Sequence, residues 1–249
     1  MKEFMKKFKF GKTDFNIGVE RECFLTNTKG NIIPVAKYVL NCLPKNNKFG
    51  HELSACQLEE RVSAISLYGI EADLKENDMM LSNLESKLAL KRSYTSVAPI
   101  NMPLDVYPDE RYLDIAKCMS KKKLSAACRV AGTHIHIKMN TAEQALRVYN
   151  GVIKHTDELI EMGDNSNGKR MNLYQIVEHN WQPPPIKDWQ DFMRKAIANK
   201  YYENPRNNWS IIRISVCGTI EFRCFGSTPI MKEIIGWANI CQELCEKYR

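Results

Sequence analysis

The sequence has no apolar run approaching the length of a membrane span. It has no internal repeat, no low-complexity segment and no CxxC pair among its nine cysteines. These absences argue against a helical membrane protein, a solenoid and a thiolate-bound structural zinc. The scattered cysteines fall largely at apolar positions and read as reduced, buried thiols of a cytoplasmic protein. The basic start MKEFMKKFKFGK is followed by no continuous apolar stretch, so it reads as a solvated lead-in to the first strand and not as a secretory signal. An amphipathic membrane-surface segment is the alternative there.

What is present fits one domain over 1–249: 44% hydrophobic residues, 26% charged and a net charge of +7, which points loosely to an anionic partner. Strand patterns fall at about 15–25, 49–62 (with a bulge), 95–100, 129–139 and 210–225, the last broken at Gly218. Helical patterns cover about 35–43, 66–93, 109–120, 141–163, the stretch IKDWQDFMRKAIAN and the C-terminal segment. Thr141 and Gln144 form a capping box. Strands separated by long helices, without a strict βαβ rhythm, predict an α+β fold with a curved, mainly antiparallel sheet.

Four strand candidates carry charges inside apolar runs: GVERE, HELSACQLE, GTHIHI and RISVCGTIEFR. A spacing of two puts Glu20 with Glu22, His134 with His136, and Glu221 with Arg223 on common faces, while Arg21 faces the other way. Each pair alone is explained by a solvated strand face or a cross-strand ion pair. Together with Glu52, Glu59 and Arg213 they describe one polar face. Neighbouring carboxylates that lose hydration need a cation. A carboxylate-rich set favours Mg²⁺ or Mn²⁺, two or three ions if all five glutamates are used, with arginines binding phosphate. The segment GDNSNGKR imitates a phosphate-binding loop, but Arg170 stands where Ser or Thr is needed and a helix precedes it. It is expected to be a flexible loop carrying Lys169 and Arg170 toward an anion. Cys56 is expected to be packing. Two other readings stay open: a Zn²⁺ or Fe²⁺ hydrolase built on the HxH pair, and a nucleic-acid binder using Lys121, Lys122 and Lys123.

FNIGVERECFL, HELSACQLEERV, AGTHIHI and GTIEFRCFGST, in this order, resemble carboxylate–amine ligases of the glutamate–cysteine ligase type and the small amidoligases, of the glutamine-synthetase-like superfamily. The resemblance implies a sheet whose concave face holds ATP and the metal ions, with helices on its convex side. It implies that Glu20, His134 and Glu221 hold the ion bridging the nucleotide phosphates, and that Glu22, Glu52 and Glu59 hold the ion nearer the acceptor carboxylate. His136 and Arg213 would contact phosphate, Arg223 would stabilise the transferred phosphoryl group, and Arg170, with Glu59, would meet the substrate. Arg223, Glu221 and Glu22 would form the catalytic group. The implied substrates are ATP, a carboxylate (the glutamate γ-carboxylate favoured) and an amine such as cysteine. A polymer-attached or nucleic-acid acceptor and a homo-oligomer stay open, and no membrane partner is implied.

Overall fold

The structure, a computed structural model, describes residues 1–12 and 16–249. Its centre is an open antiparallel sheet in the order β2-β3-β1-β5-β7-β6, with β4 paired to β1. The strands are β1 (Ile17–Asn27), β2 (Phe49–His51), β3 (Gln57–Ala64), β4 (Leu90–Ser93), β5 (Gly132–Lys138), β6 (Ile212–Ile214) and β7 (Thr219–Gly226). The helices are α1 (Lys2–Met5), α2 (Ala36–Cys42), α3 (Leu67–Leu88), α4 (Glu110–Lys117), α5 (Lys121–Arg129), α6 (Ala142–Val152), α7 (Thr156–Gly163), α8 (Lys169–Val177), α9 (Trp189–Ala198) and α10 (Met231–Lys247). The predicted mixture of helices and antiparallel strands is therefore borne out.

Alternation along the strands divides the molecule. Val19, Val62, Ile135, Ile137, Ile220 and Phe222 are buried on one face, against Ile70 and Leu74 of α3, Val148 of α6 and Ile234 of α10. Fully burying such side chains contributes about 1.5–3 kcal/mol each, which fixes the register: a one-residue slip would turn this whole set toward the other face. Phe24, on the opposite parity of β1, joins a second cluster with Ala127 of α5 and Val177 of α8. Helices thus flank both faces. The expectation that they keep to one side is corrected, because the apolar stripes of α5 and α8 need Phe24 and its neighbours for cover.

Other boundaries also differ. The proposed bulged strand at 49–62 is a pair of antiparallel strands, β2 and β3, separated by a turn. The stretch 95–100 forms only an isolated bridge, Val97 to Val130. The long helical pattern ends at Leu88, where Ala89 takes a left-handed conformation (φ 52°), and β4 follows. The 141–163 pattern divides into α6 and α7 around a short 3-10 turn at Ile153–His155. Gly218 makes the expected break between β6 and β7, at φ 70°, a conformation few side chains tolerate. The basic start is not a solvated lead-in. Phe4 and Phe8 are buried and pack edge-on to one another and against Phe192 and Trp189.

Candidate active site

The antiparallel register aligns the chemistry into cross-strand rows. Glu22 of β1 lies opposite Glu59 of β3, and Glu20 lies opposite both Arg61 of β3 and His134 of β5. His136 lies opposite Glu221 of β7, which in turn faces Arg213 of β6. Opposed residues share a face, so the pairs read from single strands converge. Ten of the candidates named in the sequence, five glutamates, two histidines and three arginines, line one cavity of about 520 Å³, whereas Lys169 is exposed and does not. The acidic groups come mainly from β1 and β3, and the guanidinium groups Arg213 and Arg223 from β6 and β7.

Glu221 is fully buried and anchors the basic side. Its Oε2 accepts from Arg213 Nε at 2.7 Å and its Oε1 from Arg223 Nη1 at 2.7 Å. Burial alone would raise its pKa, but Arg213, His136 and Arg223 outweigh that and hold it ionised far below the usual carboxylate range. Arg223 is steadied further by donating from Nε to the Tyr174 hydroxyl at 3.1 Å. Burial also opposes ionisation of Glu20, yet the charge on His136 and a hydrogen bond with His134 lower its pKa well below the ordinary value. His134 Nδ1 is 3.3 Å from Glu20 Oε2 and its Nε2 is 3.5 Å from Glu22 Oε1. Burial and the Arg223 charge depress His134 to about 4, which keeps it neutral and able to ligate.

The acidic side behaves oppositely. Burial and the Glu59 charge push Glu22 up to about 7, against Arg223, Arg170 and a 2.7 Å hydrogen bond from the Gly132 N–H. Burial and the Glu22 charge push Glu52 up to about 7 as well. Glu59 rises well above the usual range through burial and the charges of Glu20 and Glu52. Carboxylates held this close without enough cations retain protons. Ligand atoms of Glu20, His134 and Glu221 lie within 4.8 Å of one another, as do those of Glu22, Glu59 and His134. Two oxygen-rich donor sets sharing one imidazole fit hard divalent cations better than zinc. Glu52 belongs to neither set, but its charge helps to raise Glu59. His136 belongs to neither set either. Its Nδ1 meets Thr219 Oγ1 at 2.9 Å, while its buried Nε2 has no hydrogen-bond partner and lies 3.6 Å from Glu20. The two imidazoles of HxH therefore do not share a donor set.

Arg170 and its loop differ from expectation. Its guanidinium donates to three backbone carbonyls: Ala131 at 3.0 Å, Cys224 at 3.3 Å and Arg223 at 3.0 Å. It lines the cavity while tying β5 to β7. The loop before it is held, not loose: Asp164 accepts from Ser166 and from the Gly168 N–H, and Asn165 is bonded to Ser96 and Ser227. Cys56 is packed as expected, fully buried, with burial raising its thiol to about 11. Lys121 and Lys122 are exposed on α5, and none of the lysine triplet lines the cavity. Sequence reading missed Arg61, Arg111, Tyr112, Tyr174 and Trp209, which also line the cavity. For Arg61 the signal was available, since residues 57, 59 and 61 share a face.

No protein-family profile matches the chain. It is 24% identical over 157 residues to "Putative glutamate--cysteine ligase 2" of Solibacter usitatus, covering 57% of this chain and 40% of that protein. It is 22% identical over 144 residues to the protein of the same name from Micrococcus luteus, covering 51% and 35%. The similarity is to carboxylate–amine ligases. The resemblance read from GVERE, HELSACQLEERV, GTHIHI and GTIEFR is thereby borne out, although the aligned part spans well under half of each relative. A solved structure, a bifunctional glutathione synthetase from Pasteurella multocida, superimposes with a TM-score of 0.56 over 94% of this chain and 39% of that one, at 12% identity. That likeness concerns the fold. No helix among the described residues is long and apolar enough to cross a membrane.

Proposed function

We propose that the chain is an ATP-dependent carboxylate–amine ligase, one glutamine-synthetase-like catalytic domain over residues 1–249, working through an acyl phosphate. The observation that carries this reading is the division of one cavity into an acidic side and a guanidinium side, with the neutral His134 between them. An acidic side made of Glu20, Glu22, Glu52 and Glu59 suits Mg²⁺ or Mn²⁺. A basic side made of Arg213 and Arg223, oriented by Glu221, suits a polyphosphate. Divalent ions, when bound, would supply charge neutralisation between ATP and the acceptor carboxylate.

In the first step a carboxylate oxygen of the acceptor attacks the γ-phosphorus, and ADP leaves. Arg223 spreads the charge that develops on the transferred phosphoryl group, and Glu221 keeps that guanidinium aimed. His136 offers its Nε2, which lies 3.6 Å from Glu20 and makes no hydrogen bond, to a phosphate oxygen. In the second step the amine nitrogen attacks the acyl carbon. The C–O bond to phosphate breaks, and the departing phosphate takes the amine proton. No side-chain nucleophile is required; the protein contributes placement and electrostatics. Glutamate, reacting through its γ-carboxylate, and cysteine or another amine are the proposed substrates.

The test is ADP and phosphate release with ATP, Mg²⁺, glutamate and a panel of amines. Release that needs both acceptor and amine supports the reading. ATP left intact with every carboxylate offered would rule it out. The HxH hydrolase reading is not retained, because His134 and His136 contribute to no common donor set.

A further inference from the structure

Arg61 stands where two cavities meet. It lines the large one described above and a smaller one of about 300 Å³, bounded by Gly18, Lys48, Asp73 and Thr219. It projects from β3 on the same face as Glu59, directly across from Glu20. Its Nε is bonded to Glu59 Oε1, yet the Arg61 side chain keeps 42% of its exposure while that of Glu59 keeps 4%. The guanidinium therefore holds a buried carboxylate from the solvent side, with room to move.

The seat of the guanidinium is built in. The guanidinium lies over Gly50 of β2, and a β-carbon at Gly50 would collide with its Nη1, Nη2 and Cζ atoms. The nearby cation Lys48 is engaged by Glu76 of α3 at 2.7 Å. His136, whose Nε2 lies 3.6 Å from Glu20, lines the same two cavities, so a second cationic group stands at this junction. Arg61 is thus a cation bound to a proposed metal ligand, at the junction of the two cavities.

We propose that Arg61 is an exchangeable counter-ion: it occupies Glu59 while the acidic side lacks a divalent cation, and passes to a phosphate oxygen of the nucleotide when that cation takes Glu59. This rests on the ligase reading and assigns Arg61 a function in nucleotide binding and in coupling it to metal binding. Three consequences follow from charge alone. Arg61 competes with metal at Glu59, so metal alone binds less tightly than the donor set would allow. Nucleotide relieves that competition by giving the guanidinium another anion. Metal and nucleotide therefore bind cooperatively.

The experiment is calorimetric titration of the wild type, Arg61→Gln and Arg61→Lys with Mn²⁺ alone, and then with a non-hydrolysable ATP analogue at saturating Mn²⁺. Circular dichroism checks that each variant is folded. Arg61→Gln is expected to bind Mn²⁺ alone several-fold more tightly, because a competing positive charge is gone. It should bind the analogue about tenfold more weakly, the worth of one charge-assisted hydrogen bond. Arg61→Lys, which keeps the charge but not the fork, should restore Mn²⁺ affinity to near the wild-type value and nucleotide affinity only in part. Opposite movement of the two affinities is the signature; a purely structural residue would weaken both. Equal weakening of both, or both affinities within twofold of wild type, overturns the assignment while leaving the ligase reading standing. A wild type that binds neither Mn²⁺ nor the analogue overturns the ligase reading and this inference with it.

Discussion

The two faces of the sheet use the same strands and nearly the same residues, yet treat charge in opposite ways. On the helix-packed face Arg21 meets Glu60 at 2.9 Å and Asp78 at 2.6 Å, and Arg92 meets Asp78 at 2.7 Å and Glu85 at 2.8 Å. Tyr94 closes the group by donating to Glu60. The three carboxylates there share two guanidiniums, and each is in contact with at least one. One residue along, on the cavity face, Glu22, Glu52 and Glu59 confront one another, and burial with mutual repulsion raises all three pKa values. A fold that pairs its charges so closely on one side of β1 and β3 crowds three carboxylates together on the other, although Arg61, Arg111, Arg170, Arg213 and Arg223 line the same cavity. The second arrangement is costly for stability and suits a site that receives its cations from solution.

The comparison breaks most visibly in activity. Glu221→Gln removes the anion that aims Arg213 and Arg223, and ATP-dependent ligation should fall by about a thousandfold, with the far-ultraviolet circular dichroism unchanged. ADP release under saturating substrates checks this. Removing a partner on the paired face should instead act on folding. Arg21→Met leaves Glu60 buried without its guanidinium and should cost about 3–5 kcal/mol, read from urea denaturation. Arg21 and Glu60 side chains are both fully buried, so solvent does not screen that loss.

On the cavity face the sign reverses. Glu22→Gln should stabilise the metal-free protein at pH 8 by about 1 kcal/mol, the scale of one relieved like-charge contact, while weakening Mn²⁺ binding. Urea denaturation with and without the metal separates the two effects.

The pH dependence sharpens the same point. Glu22 and Glu52 hold their protons up to about 7 in the folded chain, against an ordinary value of 4.5. Between these values the native state binds more protons than the unfolded one, so stability falls as pH rises. Burial works against a charged His136, but Glu20 and Glu221 raise it above its ordinary 6.5, and it loses stabilisation in the same direction. His134, depressed to about 4 by burial and Arg223, acts in the opposite sense but only below about 6.5. The melting temperature of metal-free protein should therefore drop as pH rises from about 6.5 through about 7, and saturating Mg²⁺ should flatten that drop.

Much of the cavity was legible because it is written at a spacing of two within apolar strands. GVERE, GTHIHI and GTIEFR each announce which side chains share a face, and the antiparallel register then joins the faces. Glu52 was read within the strand candidate HELSACQLE, but β2 ends at His51 and no strand period places it. The partner of Arg21 was not legible: Asp78 lies fifty-seven residues away on α3, and only tertiary packing brings them together. β4 was hidden in LALKRS, whose leucines continue the helical period until Ala89 turns the chain. α5 was masked by its lysine triplet, although Ser120 caps it by accepting from the Lys123 N–H. Arg170 was legible as a cation near the site, but not as one bonded to carbonyls, because backbone acceptors carry no sequence signal.

The most direct measurement is a Mn²⁺ titration of the metal-free protein at pH 8, repeated for Glu22→Gln and Arg21→Met. The account predicts saturable binding that raises the melting temperature of the wild type, is strongly weakened by Glu22→Gln, and survives in whatever fraction of Arg21→Met folds. Binding that is absent, or that Glu22→Gln leaves unchanged, would contradict it.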